Sequence, residues 1–287
     1  MINSTVTPTI ILSRYQTKPI LEARGKNAQT VEVSLDLGLT VSQLELDDDG
    51  VRSPTGQLIM WEELEKIDKH EVGCFVIDSS GMQKVQLYSE EMSRVYTLMP
   101  TSGPPTMLIS GLPMHRIKGT DPQKDTRSKI NTVKPVTGLV LDTATGLGYT
   151  AIEAAKSAEK VITMEIDPTV IEICRLNPWS RALFKNRRIE SRIGDIYDEI
   201  LSFEDSIFSR IIHDPPTFSL AGHLYSADFY RQMFRVLRSD GRLFHYIGDL
   251  SSRSGRRTAR GVVQRLKEAG FRQVRTRKDA FGVVASR

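Results

Sequence analysis

Val140-Leu141-Asp142-Thr143-Ala144-Thr145-Gly146-Leu147-Gly148-Tyr149-Thr150 is the stretch whose reading decides the fold. The apolar run Leu139–Leu141 ends in Asp142. A small, glycine-bearing turn follows over Thr143–Gly148. Ala151, Ile152, Ala154 and Ala155 then recur at helical spacing. The order is strand, tight turn, helix. Gly146 and Gly148 admit positive φ and let a ligand approach the backbone. The helix that follows presents N–H groups with no partner inside the helix.

Working outward, Glu165 ends a second apolar run, Val161–Met164, about twenty residues after the first glycine, where a dinucleotide-binding fold places the acid that holds ribose hydroxyls. The turn lacks the third glycine of that fingerprint, because Tyr149 follows Gly148 and position 151 is Ala. Ile189–Asp195 reads as a third strand ending in Gly-Asp. Ser209–Thr217 reads as a fourth, ending in Asp-Pro-Pro. From Gly138 onward strand and helix patterns alternate, which predicts a largely parallel sheet with helices on both faces. Arg238-Ser239-Asp240-Gly241 reads as a helix stop before a strand from Arg242. Phe271–Arg277 and Phe281–Ala285 then read as a closing hairpin.

These four blocks, in this order and spacing, resemble class I S-adenosylmethionine-dependent methyltransferases over roughly Asp121 to Arg287. The resemblance implies a Rossmann-like α/β fold with S-adenosylmethionine as cofactor. It places Asp142, Thr143, Ala144, Gly146 and Gly148 against the methionine part. Glu165, with Ile166 beside it, takes the ribose. Asp195, with Ile196 beside it, takes the adenine amine. The segment before the turn in such enzymes closes over the methionine end, which makes Thr126 and Lys129 candidate contacts to its carboxylate.

Asp214-Pro215-Pro216-Thr217 is the candidate reaction centre, with Asp214, Pro215 and Thr217 as its catalytic residues. Two prolines fix the backbone, so a carboxylate and a carbonyl are held rigidly enough to accept hydrogen bonds from an amine. Such catalysis is mostly positioning. The block resembles the Asp-Pro-Pro-Tyr of amino-group methyltransferases, with Thr217 in place of the aromatic ring and Phe218 or Tyr225 as candidate substitutes. His213 is either a general base or hydrogen-bonded structure. Phe229, Met233, Val236 and Leu237 recur at helical spacing and read as core, as do Ile171, Ile173, Cys174 and Leu176.

A second resemblance is local. His223–Tyr230 through Leu237–Gly241 looks like the matching stretch of spermidine synthases, which transfer an aminopropyl group from decarboxylated S-adenosylmethionine. The first motif departs from theirs, reading Thr143-Ala144-Thr145-Gly146 where they carry a glycine triplet. Few carboxylates besides Asp228 and Asp249 accompany Asp214 to meet a polyamine. Methylation of an amino nitrogen is therefore the expected reaction, with aminopropyl transfer as the alternative.

Residues 1–105 are expected to form a small β-rich domain, 106–137 a connecting segment covering the cofactor site, and 138–287 the Rossmann-like domain. The first hundred residues read as short strands: Thr9–Ser13, Thr30–Asp36, Val41–Leu46, Gly73–Ile77, Lys84–Tyr88 and Arg94–Leu98. One short helix is expected at Trp61–Ile67, the whole making a small sheet or partial barrel. Asp47–Asp49 lacks the glutamate of an EF-hand and reads as a hairpin tip, so no metal site is expected. Apolar content of 39% with 26% charged residues is that of a globular chain. Met1–Thr7 has no basic region leading into an apolar one. With only two, widely separated cysteines, a cytoplasmic location and no membrane attachment are expected. The net charge of +4 is unevenly spread: residues 1–100 hold 15 acids and 9 bases, and Ser251–Arg287 holds 11 bases against Glu268 and Asp279. The basic C-terminal segment makes nucleic acid a candidate partner. A homodimer is left open, as is the acceptor.

Overall fold

Seven strands form one sheet: β1 (Leu139–Asp142), β2 (Lys160–Glu165), β3 (Ile189–Ile193), β4 (Phe208–His213), β5 (Leu237–Tyr246), β6 (Arg272–Arg277) and β7 (Gly282–Ser286). The computed structural model describes residues Thr9–Arg287. Met1–Thr7, read above for a leader, lies outside the described residues. The sheet order is β3-β2-β1-β4-β5-β7-β6. The first five strands are parallel to one another, and β7 runs antiparallel to both β5 and β6. The helices are α1 (Pro122–Asn131), α2 (Tyr149–Ala154), α3 (Pro168–Leu176), α4 (Arg181–Lys185), α5 (Ile196–Glu199), α6 (Ala227–Val236) and α7 (Arg253–Glu268).

The central strands are buried because both faces are covered, and so read as near-continuous apolar runs. All six residues of β4 are buried. Phe208, Phe229, Tyr230, Met233, Leu243, Val262 and Leu266 share one core, so the stripe read on α6 is indeed its inner face. Ser226 caps α6 through Phe229 N–H, and Ser252 caps α7 through Gly255 N–H at 2.9 Å. The Arg238–Gly241 stop proves to be an excursion within β5: Phe208 pairs with Leu237, Arg210 with Arg242, and the four residues between loop out of register.

Two units make up the chain, one running to Pro122 with Glu172–Trp179, the other comprising Gln123–Ile171 and Ser180–Arg287. The first is β-rich, but it forms three small antiparallel sheets rather than one sheet or partial barrel. It also holds a helix the reading above lacked, Arg14–Gly25. A capping box starts it: Ser13 accepts from the chain ahead while Gln16 reaches back to Ser13 N–H at 3.1 Å. Pro19 lies inside this helix. Ile20 from this helix shares the unit's core with Leu64 and Ile67 of the helix Trp61–Asp68, expected over Trp61–Ile67. Among the described residues no helix is long and apolar enough to cross a membrane.

Phe208 is fully buried and meets Phe203 edge-on, ring centroids 5.0 Å apart. Phe208→Ala should destabilise the C-terminal unit by about 3–5 kcal/mol, read as a lower urea midpoint for the transition followed by the aromatic signal of that unit.

Candidate functional site

Four acids stand at or just beyond the carboxyl ends of adjacent strands: Asp142, Glu165, Asp195 and Asp214. Each is held differently. Asp142 is fully buried. Its oxygens accept from Thr150 Oγ1 at 3.1 Å each, and Oδ2 accepts from Thr163 Oγ1 at 2.8 Å. Because Thr163 donates to Asp142, Thr145 donates to Thr163 at 2.7 Å. The carboxyl thus ties β1 to β2, to the turn and to α2. Burial pushes its pKa up to about 8 against the opposing hydroxyl bonds from Thr163 and Thr150. Nothing in the sequence singled out Thr150 or Thr163.

The turn needs its glycines. Gly146 has φ 51° and Gly148 φ 77°, and a Cβ at Gly148 would also press on Leu183 at 3.1 Å. Ser180 donates to the Leu147 carbonyl at 2.7 Å and fixes the turn from outside. Ala144 and Gly146 are its half-buried tips, while Thr143, Thr145 and Gly148 are buried.

Glu165 is 8% exposed. It accepts from the backbone N–H of Gly146 (2.9 Å), Ile166 (3.1 Å) and Asp167 (3.2 Å). Burial raises its pKa to about 7 in spite of these donors. A carboxylate offers about four acceptor positions, so one remains for a hydroxyl. Asp195 caps α5 through Tyr197 N–H at 2.8 Å and stays 30% exposed, with His223 Nε2 at 3.7 Å. Tyr197 meets that imidazole edge-on, and Ile196 is buried beneath. The sequence reading quoted His223 only within the spermidine-synthase resemblance and gave it no part beside Asp195.

At the end of β4 lies a largely buried charged cluster, with Asp214 itself 19% exposed. Lys129 on α1 is 3% exposed, and its Nζ lies 2.6 Å from Asp214 Oδ2 and 2.8 Å from Asp125 Oδ2. The ammonium also sits 4.5 Å from the centroid of the Tyr246 ring. Burial alone would lower the Lys129 pKa, but the two carboxylates overcome this and raise it. Burial raises that of Asp214, and Lys129 opposes the rise. Lys129 is therefore committed to Asp125 and Asp214. Thr126, one turn away, is buried.

Beyond Asp214 the chain turns sharply. Pro215 is buried and Pro216 and Thr217 are exposed. Thr217 Oγ1 shares a hydrogen bond with Ser219 Oγ at 3.1 Å. Tyr225 donates to the Pro216 carbonyl at 3.0 Å, and Phe218, 55% exposed, packs edge-on against the Tyr225 ring. His213 points away from this turn: its Nε2 donates to the Leu224 carbonyl at 3.0 Å, and its Nδ1 accepts from Thr143 Oγ1 at 2.7 Å. Burial lowers its pKa to about 3. It is neutral, with both nitrogens occupied, and holds β4 to the glycine turn.

The raised pKa of Glu165 has a consequence for stability. Between pH 4.5 and 7 the folded chain keeps a proton that the unfolded chain has lost. Stability therefore falls as pH rises through that window, by at most about 3 kcal/mol from this group. Glu165→Gln should flatten that part of the profile, measured as urea midpoints across the pH series.

A family model described as a methyltransferase domain matches residues 141–245. An uncharacterised protein of Methanocaldococcus jannaschii is 40% identical over 98% of both chains. A polyamine aminopropyltransferase of Aeropyrum pernix is 33% identical over 103 residues, a third of each chain. Among solved structures, the spermidine synthase of Thermotoga maritima shares the fold at a TM-score of 0.55, with 20% identity over 70% of each chain. A spermidine synthase bound to a transition-state analogue superposes at 0.57, with 20% identity over 70% of this chain and 71% of that one. The chain belongs to the family of the M. jannaschii protein, matches a methyltransferase domain over residues 141–245, and shares the fold of spermidine synthases.

Proposed function

We propose that the protein methylates a nitrogen that is uncharged when it meets Asp214. The observation that carries this reading is the 2.6 Å contact between the buried Lys129 Nζ and Asp214 Oδ2, whose carboxylate keeps only a narrow opening to solvent. A polyamine ammonium would have to displace a buried lysine from its partner, and an ion pair broken on one side leaves a buried charge at a cost of about 3–5 kcal/mol. A neutral N–H asks for less. It can share the remaining acceptor capacity of Asp214 without adding a second cation.

The nucleoside end of S-adenosylmethionine fits the residues present. Glu165 has an acceptor position left for a ribose hydroxyl, Asp195 is open to an amine, and Ala144 and Gly146 offer small tips. Lys129 is engaged elsewhere, and the turn N–H groups of Thr143, Thr145, Gly146 and Gly148 already donate within the protein, so Thr126 and the N–H groups of Ala144 and Leu147 are the donors proposed for a carboxylate. When bound, the cofactor supplies a methyl carbon activated by a sulfonium. The chain supplies position: Asp214 accepts a hydrogen bond from the acceptor nitrogen, Pro215 and Pro216 stiffen its backbone, and Tyr225 holds the Pro216 carbonyl in place. Phe218 beside them offers an aromatic edge where Thr217 cannot. Holding the reacting groups in one geometry is the main source of rate here.

Aminopropyl transfer is the second reading, supported by the partial match to the A. pernix enzyme. Calorimetry separates the two. S-adenosylmethionine should bind more tightly than its decarboxylated form, and Glu165→Ala should weaken both by roughly ten- to a hundredfold. Asp214→Ala should abolish transfer while leaving cofactor affinity within a few-fold. Wild-type protein should not bind spermidine, whereas Lys129→Met, which leaves two carboxylates without a cation, should acquire such binding. Preference for the decarboxylated cofactor together with consumption of putrescine or spermidine would establish the second reading instead.

Because hydroxyl donors favour the ionised form of Glu165, cofactor binding should also release a proton near pH 7. Affinity should then rise as pH increases through neutrality. A flat profile, with no proton released, would remove Glu165 from the ribose site.

A further inference from the structure

An arginine-lined groove lies along the far edge of the sheet. It encloses about 240 Å³, and its walls include Arg242, Arg275, Arg277, Gln273, Thr132 and Ser286. We infer that this groove binds phosphate groups, and that its ligand is a single strand of nucleic acid lying along β6.

The groove is built by a bulge. Arg272 pairs with Ser286, Arg275 with Val284 and Arg277 with Gly282, with one extra residue inserted between Arg272 and Arg275. Gln273 in that bulge has φ 47°. Side chains alternate faces along a strand, so without the insertion Arg272 and Arg275 would point to opposite sides. With it, all three arginines stand on the face of Ser286, Val284 and Gly282. Those partners in turn lie beside Arg242, Phe244 and Tyr246 of β5. Val274, left on the other face, packs into the core under α7. Bulges that re-aim side chains recur beside functional sites.

The charge is in excess. Arg277 is paired with Asp279 at 3.1 Å, and Arg242 donates to the Lys134 carbonyl. Burial, and then the charge of Arg242, lower the pKa of Arg210 on the neighbouring strand. Guanidinium groups that already repel one another gain from an anion between them. Arg275 and Arg277, two residues apart, present their charges about 6.5 Å apart along the strand, a repeat that suits successive phosphates of an extended chain better than a single ion. The row also leads somewhere. Arg277, Gly282 and Tyr246 are register neighbours, and the Tyr246 ring lies under Lys129, the partner of Asp214. A strand held by the arginines would be directed toward the candidate reaction centre. Edge strands often carry charge to prevent pairing with other chains, but that need is met by either sign on either face and does not call for a bulge that gathers one sign on one face.

Anisotropy of a labelled single-stranded RNA with the full chain tests this without reference to transfer. Binding should appear at low salt. Arg242→Ala and Arg275→Ala should each weaken it about three- to tenfold and reduce the log–log salt slope by about 0.7. Arg275→Lys should retain most of the affinity, which separates charge from damage to the edge. Arg257→Ala, on exposed α7, should change little. The proposal fails if RNA does not bind at low salt, or if Arg257→Ala matters and the groove variants do not. It fails equally if only inorganic phosphate raises the melting temperature, or if only phosphatidylserine vesicles bind.

Discussion

One buried carboxyl holds the C-terminal unit in register. Asp142 ends β1, and its hydrogen bonds reach Thr150 on α2 and Thr163 on β2, with Thr145 linked behind. Strand, turn and helix are thereby fixed to one another at the point where the glycine backbone must stay open to a ligand. A carboxyl so enclosed resists ionisation, so the tie is made by a group that stays largely uncharged near neutrality. His213 repeats the logic on the other side. It is neutral and bonded at both nitrogens, and it fastens β4 to Thr143. Asp142, read as a contact to the methionine part, and His213, read as a general base or as hydrogen-bonded structure, both brace the turn.

The candidate reaction centre, Asp214, has a companion the sequence did not pair with it. Lys129 arrives from a helix eighty-five residues earlier in the chain, and the pair with Asp125 and Asp214 exists only because α1 folds back over the end of β4. Buried ion pairs seldom add net stability, since desolvation offsets attraction. In the proposed reaction, their use is to set the charge that an incoming acceptor meets. The sequence assigned Lys129 to the cofactor because a lysine before the turn suits a carboxylate. The structure gives it two carboxylates of the protein's own.

What was legible in the sequence follows from periodicity and punctuation. The sheet and most of its helices could be read because a parallel sheet demands apolar runs ending in turns, and Asp142, Glu165, Asp195 and Asp214 mark those ends. The antiparallel closing pair was legible for the same reason. The helix at Arg14–Gly25 was not read; Pro19 lies inside it, and its capping box between Ser13 and Gln16 is seen only in the folded chain. The three-sheet arrangement of the first unit was missed because strands of three to five residues carry almost no record of their partners. The ties from Thr150 and Thr163, the Lys129 bridge and the bulge at Gln273 are tertiary facts. No local pattern announces them.

The place of β7 has a consequence for the order in which the molecule can be completed. β6 is hydrogen-bonded to β7 alone, and β7 lies between it and β5. During synthesis from the N-terminus, the segment Arg272–Arg277 emerges before the strand that must separate it from the rest of the sheet. It can find no native partner until Gly282–Ser286 has followed and slotted against β5. Until then β5 is a bare edge and the arginine strand a loose end, so the last few residues described act as the keystone of the sheet rather than its trim.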